Sequence, residues 1–250
     1  MKKKLWKVWI VLILAVMTLV VGLFSGCSRD EEWGYFTIEF NNERETARIT
    51  GLTKLGQQQR FLIMPEEIDG ARVSAIGQSP LLEIWPSMGT ADISSENLEK
   101  VYFISYYYVP GGSFRNSPKL EKAMIITHEN IRGNVSPARS YYSNMEYLGF
   151  SAHSQEYNGR ANVSYFYNYD IEKNYGYYWI DDWDYGSKIE FIPPEPKRKG
   201  YTFGGWYKEP ECINEWDFET DVLPEERTEI NEDGEEEVVY QETKLYAKWL

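Results

Sequence analysis

Apolar and polar positions change rhythm several times along the chain, and each change predicts an element. Val8–Phe24 is a continuous apolar block broken by no charge. Phe36, Ile38 and Phe40 alternate with Thr37 and Glu39, the period of a half-buried strand. Asn41-Asn42 supply turn chemistry, and Thr46–Leu52 reads as the return strand. After a polar break over Gly51–Gln59, Arg60–Met64 forms another strand that Pro65 stops. Ser151–Arg160, polar and carrying Gly159, reads as a boundary. Beyond it Asn162–Asp170 is Tyr- and Phe-rich and strand-like, Glu172–Gly176 turns, and Tyr177–Trp179 returns. Ser187–Ile192 is a further expected strand ending at Pro193-Pro194, and Lys244–Trp249 is the last.

Between these regions the pattern repeats. Asn97-Leu98-Glu99-Lys100-Val101-Tyr102-Phe103 returns as Lys119-Leu120-Glu121-Lys122-Ala123-Met124-Ile125 at an offset of 22, with looser copies at Asn144–Leu148 and Pro80–Ile84. A Leu placed just before a short β-prone run, at a period of about 20–29 residues, marks a leucine-rich solenoid. No such unit buries its apolar face alone, so neighbours must stack. Leu98 and Leu120 are expected inside, with Val101–Phe103 and Ala123–Ile125 as parallel strands. Met64–Gly77, with Pro65, the Asp69-Gly70 turn, Val73 and Ile76-Gly77, resembles the opening unit of BspA-type leucine-rich repeats. Gly112–Lys122 is similar to the inter-repeat segment of that family, although Ser117 stands where the family often has Cys. The spacing is uneven, and Tyr106-Tyr107-Tyr108-Val109-Pro110 reads as an insertion. The resemblance implies a short, irregular solenoid of about three or four units within a domain spanning 35–155.

The chain then presents Gly200-Tyr201-Thr202-Phe203-Gly204-Gly205-Trp206-Tyr207, Glu211-Cys212, Trp216-Asp217-Phe218 and a terminal Leu245-Tyr246-Ala247-Lys248-Trp249. This order resembles the B-repeat of internalin-type surface proteins and implies a β-grasp-like module over 161–250. Gly204, Gly205, Trp206, Trp216 and Trp249 carry the core motif of that resemblance. The two glycines let the backbone turn closely so that the Trp206 indole enters the core. The acidic stretch Glu225–Glu237 is longer than usual for the module and is expected to be a solvated loop. The fold class is therefore mixed and β-rich: a solenoid followed by a small β-grasp-like domain.

The apolar block changes its meaning in context. Lys2, Lys3, Lys4 and Lys7 precede it, and Leu23-Phe24-Ser25-Gly26-Cys27 closes it, the order of an export signal. The closing residues resemble a bacterial lipobox, with Phe24 where Leu is usual. That resemblance implies removal of 1–26 as a signal peptide, acylation of Cys27, and a short polar tether over 27–34. An uncleaved membrane helix is the alternative, since Val8–Phe24 sits at the short edge of the ~17–25 residues a span needs. Localisation follows: the outer face of a bacterial membrane, held by lipid alone.

Charge narrows the partners. The formal net charge is −13, and the four lysines of the signal leave with it, so the remainder is more acidic still. A polyanion gains nothing from counterion release on a nucleic acid, which excludes nucleic-acid binding. The same sign disfavours lying on an anionic lipid surface. Cys27 and Cys212 are the two cysteines, so acylation of Cys27 rules out a disulfide between them, and Cys212 is expected as a small buried side chain.

Catalysis finds little to work with. His128 and His153 lie outside any Gly-x-Ser-x-Gly or His-Glu-x-x-His context and read as solvent-facing. No enzyme activity and no cofactor is expected. Glu229, Asn231 and Asp233-Gly234 faintly follow a calcium loop, but its twelfth position holds Tyr240 rather than Glu. Asp181, Asp182 and Asp184, flanked by Trp179 and Trp183, form a second acidic run, and such runs are usually solvated faces; no metal site is assigned. Tyr106, Tyr107, Tyr108, Tyr141 and Tyr142 are the candidate ligand-binding residues, because consecutive tyrosines in an extended run cannot all face inward. Tyr offers a flat face and a hydroxyl at small entropic cost. The expected function is a lipid-anchored, non-enzymatic surface protein that binds an extracellular protein or host surface. The alternatives are a cell-wall or polysaccharide binder using the tyrosines, and a structural spacer with no ligand.

Overall fold

A computed structural model describes residues 31–41, 43–76, 93–105, 113–114, 116–126, 146–149, 161–171 and 176–250. The protein is β-rich there, with a 3₁₀ turn at Gly56–Gln58. Residues Glu32–Leu250 form one compact unit.

The first sheet contains β1 (Glu31–Trp33), β2 (Phe36–Phe40), β3 (Thr46–Leu52), β5 (Glu67–Ile68) and β6 (Ala71–Ile76), in the order β1-β2-β3-β6-β5. The alternation read from the sequence places Phe36 and Ile38 inward, and Ala47 and Ile49 from β3 meet them. Asp69 (φ 50°) and Gly70 (φ 81°) both adopt positive φ, the geometry of a tight type I′ hairpin turn, and so join β5 to β6. β6 then runs parallel to β3.

The second sheet is all parallel: β4 (Phe61–Met64), β7 (Lys100–Phe103), β8 (Lys122–Ile125) and β9 (Glu146–Gly149), in that order. Lys100 lies opposite Lys122 and Val101 opposite Ala123, so the sequence offset of 22 is the register itself. The next step pairs Ala123 with Tyr147. Leu98 and Leu120 are both buried just ahead of their strands. The expected copy at Pro80–Ile84 and the expected boundary at 151–160 lie outside the described residues.

The third sheet is mixed: β11 (Tyr177–Asp181), β10 (Val163–Phe166), β15 (Thr243–Trp249) and β12 (Phe203–Tyr207), in that order. Its first and last strands, β10 and β15, run parallel at the centre, with antiparallel neighbours on both sides. Ser187–Ile192 differs from expectation: it forms no strand and joins no ladder. Two of its apolar side chains pack instead, Ile189 being buried and Phe191 stacked on Tyr102 at 4.6 Å, while Ile192 is exposed. Glu225–Glu237 is exposed as expected, yet it is not a loop throughout. It folds into a hairpin of β13 (Thr228–Ile230) and β14 (Glu236–Val238). Asn231 closes the tip by accepting the N–H groups of Asp233 (3.0 Å) and Glu235 (2.9 Å) on its Oδ1, and Gly234 supplies the positive φ.

Two cores result, and the parallel sheet is the wall between them. Leu62, Met64, Val101, Phe103 and Ala123 face the first sheet in a mostly aliphatic core with Ile49, Ile68, Val73 and Leu98. Tyr102 and Met124, with Phe61 and Ile63 packed alongside, face the third sheet and join Tyr165, Trp179, Trp206 and Leu245. Parallel sheets are normally covered on both faces, and β4, β7 and β8 are.

Candidate functional site

The face of the parallel sheet that meets the third sheet carries more than apolar groups. Register puts Phe61, Lys100 and Lys122 in one row, and Ile63, Tyr102 and Met124 in the next. Opposite them β11 ends on Asp181, which is fully buried and faces Val163 across the strand pair. Lys100 Nζ donates to Asp181 Oδ1 at 3.0 Å, and the Tyr102 hydroxyl donates to Oδ2 at 2.9 Å. The backbone N–H of Asp182 donates to Oδ1 at 2.8 Å. Lys100 Nζ also bonds the carbonyl of Asp182 and sits 3.1 Å from the centroid of the Trp183 indole. Lys122 pairs with Asp182 Oδ2 at 2.5 Å, while Asp182 Oδ1 accepts the Asn162 N–H at 3.0 Å.

The Lys100–Asp181 centre of this cluster is dry, while Lys122 and Asp182 reach its edge. Relative exposure is 9% for the Lys100 side chain and 0% for Asp181. Loss of water disfavours charge on either partner, so burial pushes the Lys100 amine below its ordinary value and the Asp181 carboxyl above its own. Burial also pushes the Tyr102 phenol up, which keeps it protonated and donating. Tyr165 is fully buried nearby, and its hydroxyl has no hydrogen-bond partner among the described residues.

At the rim of the same contact the chemistry is ordinary. Arg60 pairs with Glu99 at 2.7 Å and with Glu190 at 2.5 Å, with about half of its side chain in water. The Arg60 hydrogen bond holds the Glu99 carboxyl below its ordinary value.

The acidic run Asp181, Asp182 and Asp184 is therefore not a solvated face at its first two members. Both face lysines that the sequence shows only as repeat positions. Among the described residues no group of three or more His, Cys, Asp or Glu side chains is placed to hold a metal ion. The other acidic run is the Asn231 turn described above, with its oxygen engaged by backbone.

The remaining sequence-singled residues fall as follows. Cys27, Tyr106, Tyr107, Tyr108, Tyr141, Tyr142, His128 and His153 lie outside the described residues. Trp206 and Trp216 are buried, and Trp249 is half-buried with its indole N–H on the Tyr167 carbonyl at 2.6 Å. Gly205 has φ +105°, and a Cβ there would stand 2.9 Å from Glu215 Oε1; one at Gly204 would meet Leu250 Cγ at 2.9 Å. Cys212 is half-buried rather than buried. It occupies a left-handed position (φ 53°), and its sulfur accepts from Asn168 Nδ2 at 3.3 Å.

Sequence reading missed one surface feature. The Arg198 guanidinium lies 4.2 Å from the Tyr169 ring centroid and 3.9 Å from that of Tyr201, with Trp249 at 5.7 Å. Tyr201 is half exposed. The Arg-x-x-Tyr spacing was visible in the sequence, but its closure onto Tyr169 and Trp249 depends on the third sheet.

Comparison with known proteins bears on this same third sheet. The family model described as "Listeria-Bacteroides repeat domain" matches residues 168–248. β10 precedes that match, so the central parallel pair of the sheet draws on residues ahead of it. A relative named "Putative membrane protein" from Evansella cellulosilytica is 38% identical over 66 residues, covering 26% of this chain. The match spans 7% of the relative's own length. Among the described residues no helix is long and apolar enough to cross a membrane. The C-terminal third of the chain thus carries a repeat domain of bacterial surface proteins.

Proposed function

We propose that this is a non-enzymatic bacterial surface protein, tethered to the membrane through acylated Cys27, that binds an extracellular protein partner. The observation that carries the reading is the surface-protein repeat domain at residues 168–248. Two structural features support its architecture. The 22-residue register between β7 and β8 supports a short leucine-rich-repeat solenoid. The order β11-β10-β15-β12, with the first and last strands parallel at the centre, supports a β-grasp-like module.

Both faces of β4, β7 and β8 are covered, which supports a recognition site in the segments that leave these strands. Those segments hold Tyr106–Tyr108 and Tyr141-Tyr142. The test is capture from extracellular and envelope extracts with the acylated protein in detergent. A protein retained by the wild type and lost with all five tyrosines changed to Ala supports the reading. Retention unchanged by those substitutions removes the tyrosines from it.

A glycan-binding reading is favoured by one observation, the Tyr169–Arg198–Tyr201–Trp249 surface, which offers ring faces beside a cation. Binding on a glycan array that disappears in Tyr201→Ala would support it.

A further inference from the structure

We propose that Lys100 and Asp181 form an intramolecular amide cross-link that joins the parallel sheet covalently to the third sheet. Four observations meet at this pair. The amine stands 3.0 Å from Asp181 Oδ1, and with a C=O bond of about 1.2 Å its nitrogen lies within roughly 4 Å of the carboxyl carbon. That is near the separation of a bound, oriented pair ready to react. The site excludes water, with the acid fully buried and the amine nearly so. The Tyr102 hydroxyl already donates at 2.9 Å to Oδ2, where negative charge would develop during attack, and the Asp182 N–H holds Oδ1 at 2.8 Å. The Trp183 ring and the Asp182 carbonyl hold the amine from its other sides.

The chemistry balances within the site. A proton passes from the Lys100 ammonium to the Asp181 carboxylate, giving a neutral amine and a neutral acid. Burial favours this pair over separated charges. The nitrogen lone pair then attacks Cγ, and the tetrahedral oxyanion is held on Oδ2 by Tyr102. The new N–C bond forms, and the C–O bond to Oδ1 breaks. That oxygen leaves as water with one hydrogen from the acid and one from the amine. Nothing is oxidised or reduced, and no co-reactant enters. Tyr102 touches the reacting carboxyl and is the catalytic residue; Asp182 positions it.

The cross-link spans two sheets whose segments are 81 residues apart in sequence. In a chain anchored at one end, it would carry a pulling load through covalent bonds rather than through packing alone.

The test uses the wild-type full chain. Its mass after purification and denaturation, followed by tryptic mapping with fragmentation, is expected to show a product one water lighter. A branched peptide should join the segments around Lys100 and Asp181, with no cleavage after Lys100. Lys100→Arg should restore the full mass and linear peptides, and Tyr102→Phe should leave a mixture of linked and unlinked chains. Linear peptides with Lys100 cleaved normally in the wild type overturn the proposal. So does a water loss confined to the Asp181 peptide, which would be a cyclic imide.

Discussion

The two cores on either side of the parallel sheet are built from different materials. Toward the first sheet the filling is mostly Ile, Leu, Val, Met and Ala, with Phe36, Phe103 and Phe114 as the aromatic members. Toward the third sheet it is Tyr102, Tyr165, Tyr178, Trp179, Trp206 and Trp216, around the buried Lys100–Asp181 pair. Aliphatic filling is tolerant: each fully buried Leu or Ile contributes about 1.5–3 kcal/mol, and volume matters more than orientation. Aromatic filling with polar tips is more demanding, because every hydroxyl and indole N–H asks for a partner. Tyr178 finds the Pro194 carbonyl and Trp249 the Tyr167 carbonyl, whereas Trp179, Trp183 and Trp216 leave buried N–H groups without one among the described residues. The aliphatic side holds by shape, and the aromatic side by shape plus a fixed set of polar contacts. Its response to lost charge partners and to pH is correspondingly sharper.

The largest predicted effect comes from the buried pair. Relative to the uncross-linked Lys100→Arg chain, which keeps a cation at this position, Lys100→Met leaves Asp181 without one and should cost about 3–5 kcal/mol in chemical denaturation. Adding Asp181→Leu to that variant should recover a large part of the loss, because the uncompensated group is gone. If the double variant is no more stable than Lys100→Met, charge burial is not the source of the effect.

Alkaline pH should separate the cores next. Burial pushes Tyr167 up to about 12 and raises Tyr102, Tyr165, Tyr178 and Tyr240 as well, all packed at the third sheet. The folded chain keeps these protons while the unfolded chain begins to lose them near pH 10. Above about pH 10 the unfolded state therefore binds fewer protons, and stability falls as pH rises. Thermal midpoints measured from pH 8 to 11 should decline steeply only in the upper part of that range. A flat profile contradicts this assignment.

The smallest effect belongs to the rim. Arg60 makes two ion pairs but is half exposed, so Arg60→Ala should cost less than about 1 kcal/mol. A loss as large as that of Lys100→Met would mean that the contact is held at its edge rather than its centre.

Parts of the first two sheets were legible in the sequence. Alternation at Phe36–Phe40 named a strand, Asp69-Gly70 a turn, and the offset from Leu98 to Leu120 gave the β7–β8 register. The signals were legible because each lies within a few residues or one repeat. What stayed hidden was non-local. β4 leaves its chain neighbours β5 and β6 for another sheet, pairing Phe61 with Lys100. In the sequence Lys100 is one position of a repeat and Asp181 one acid in a run. Only the approach of β7 to β11 reveals that each is the other's partner, and no local pattern encodes it. Ser187–Ile192 carried the alternation of a strand, but that pattern reports which side chains are buried rather than whether the backbone finds a ladder.

The central claim is that the parallel sheet, shared by both cores, makes Glu32–Leu250 one cooperative body. Native-state hydrogen exchange followed by mass spectrometry tests it directly. The slowest amides of β3, β7 and β15 are predicted to open with the same free energy and to respond equally to denaturant, as amides released by one global transition do. Slow exchange in β15 persisting at denaturant concentrations where β3 and β7 have already opened, or the reverse, would contradict it.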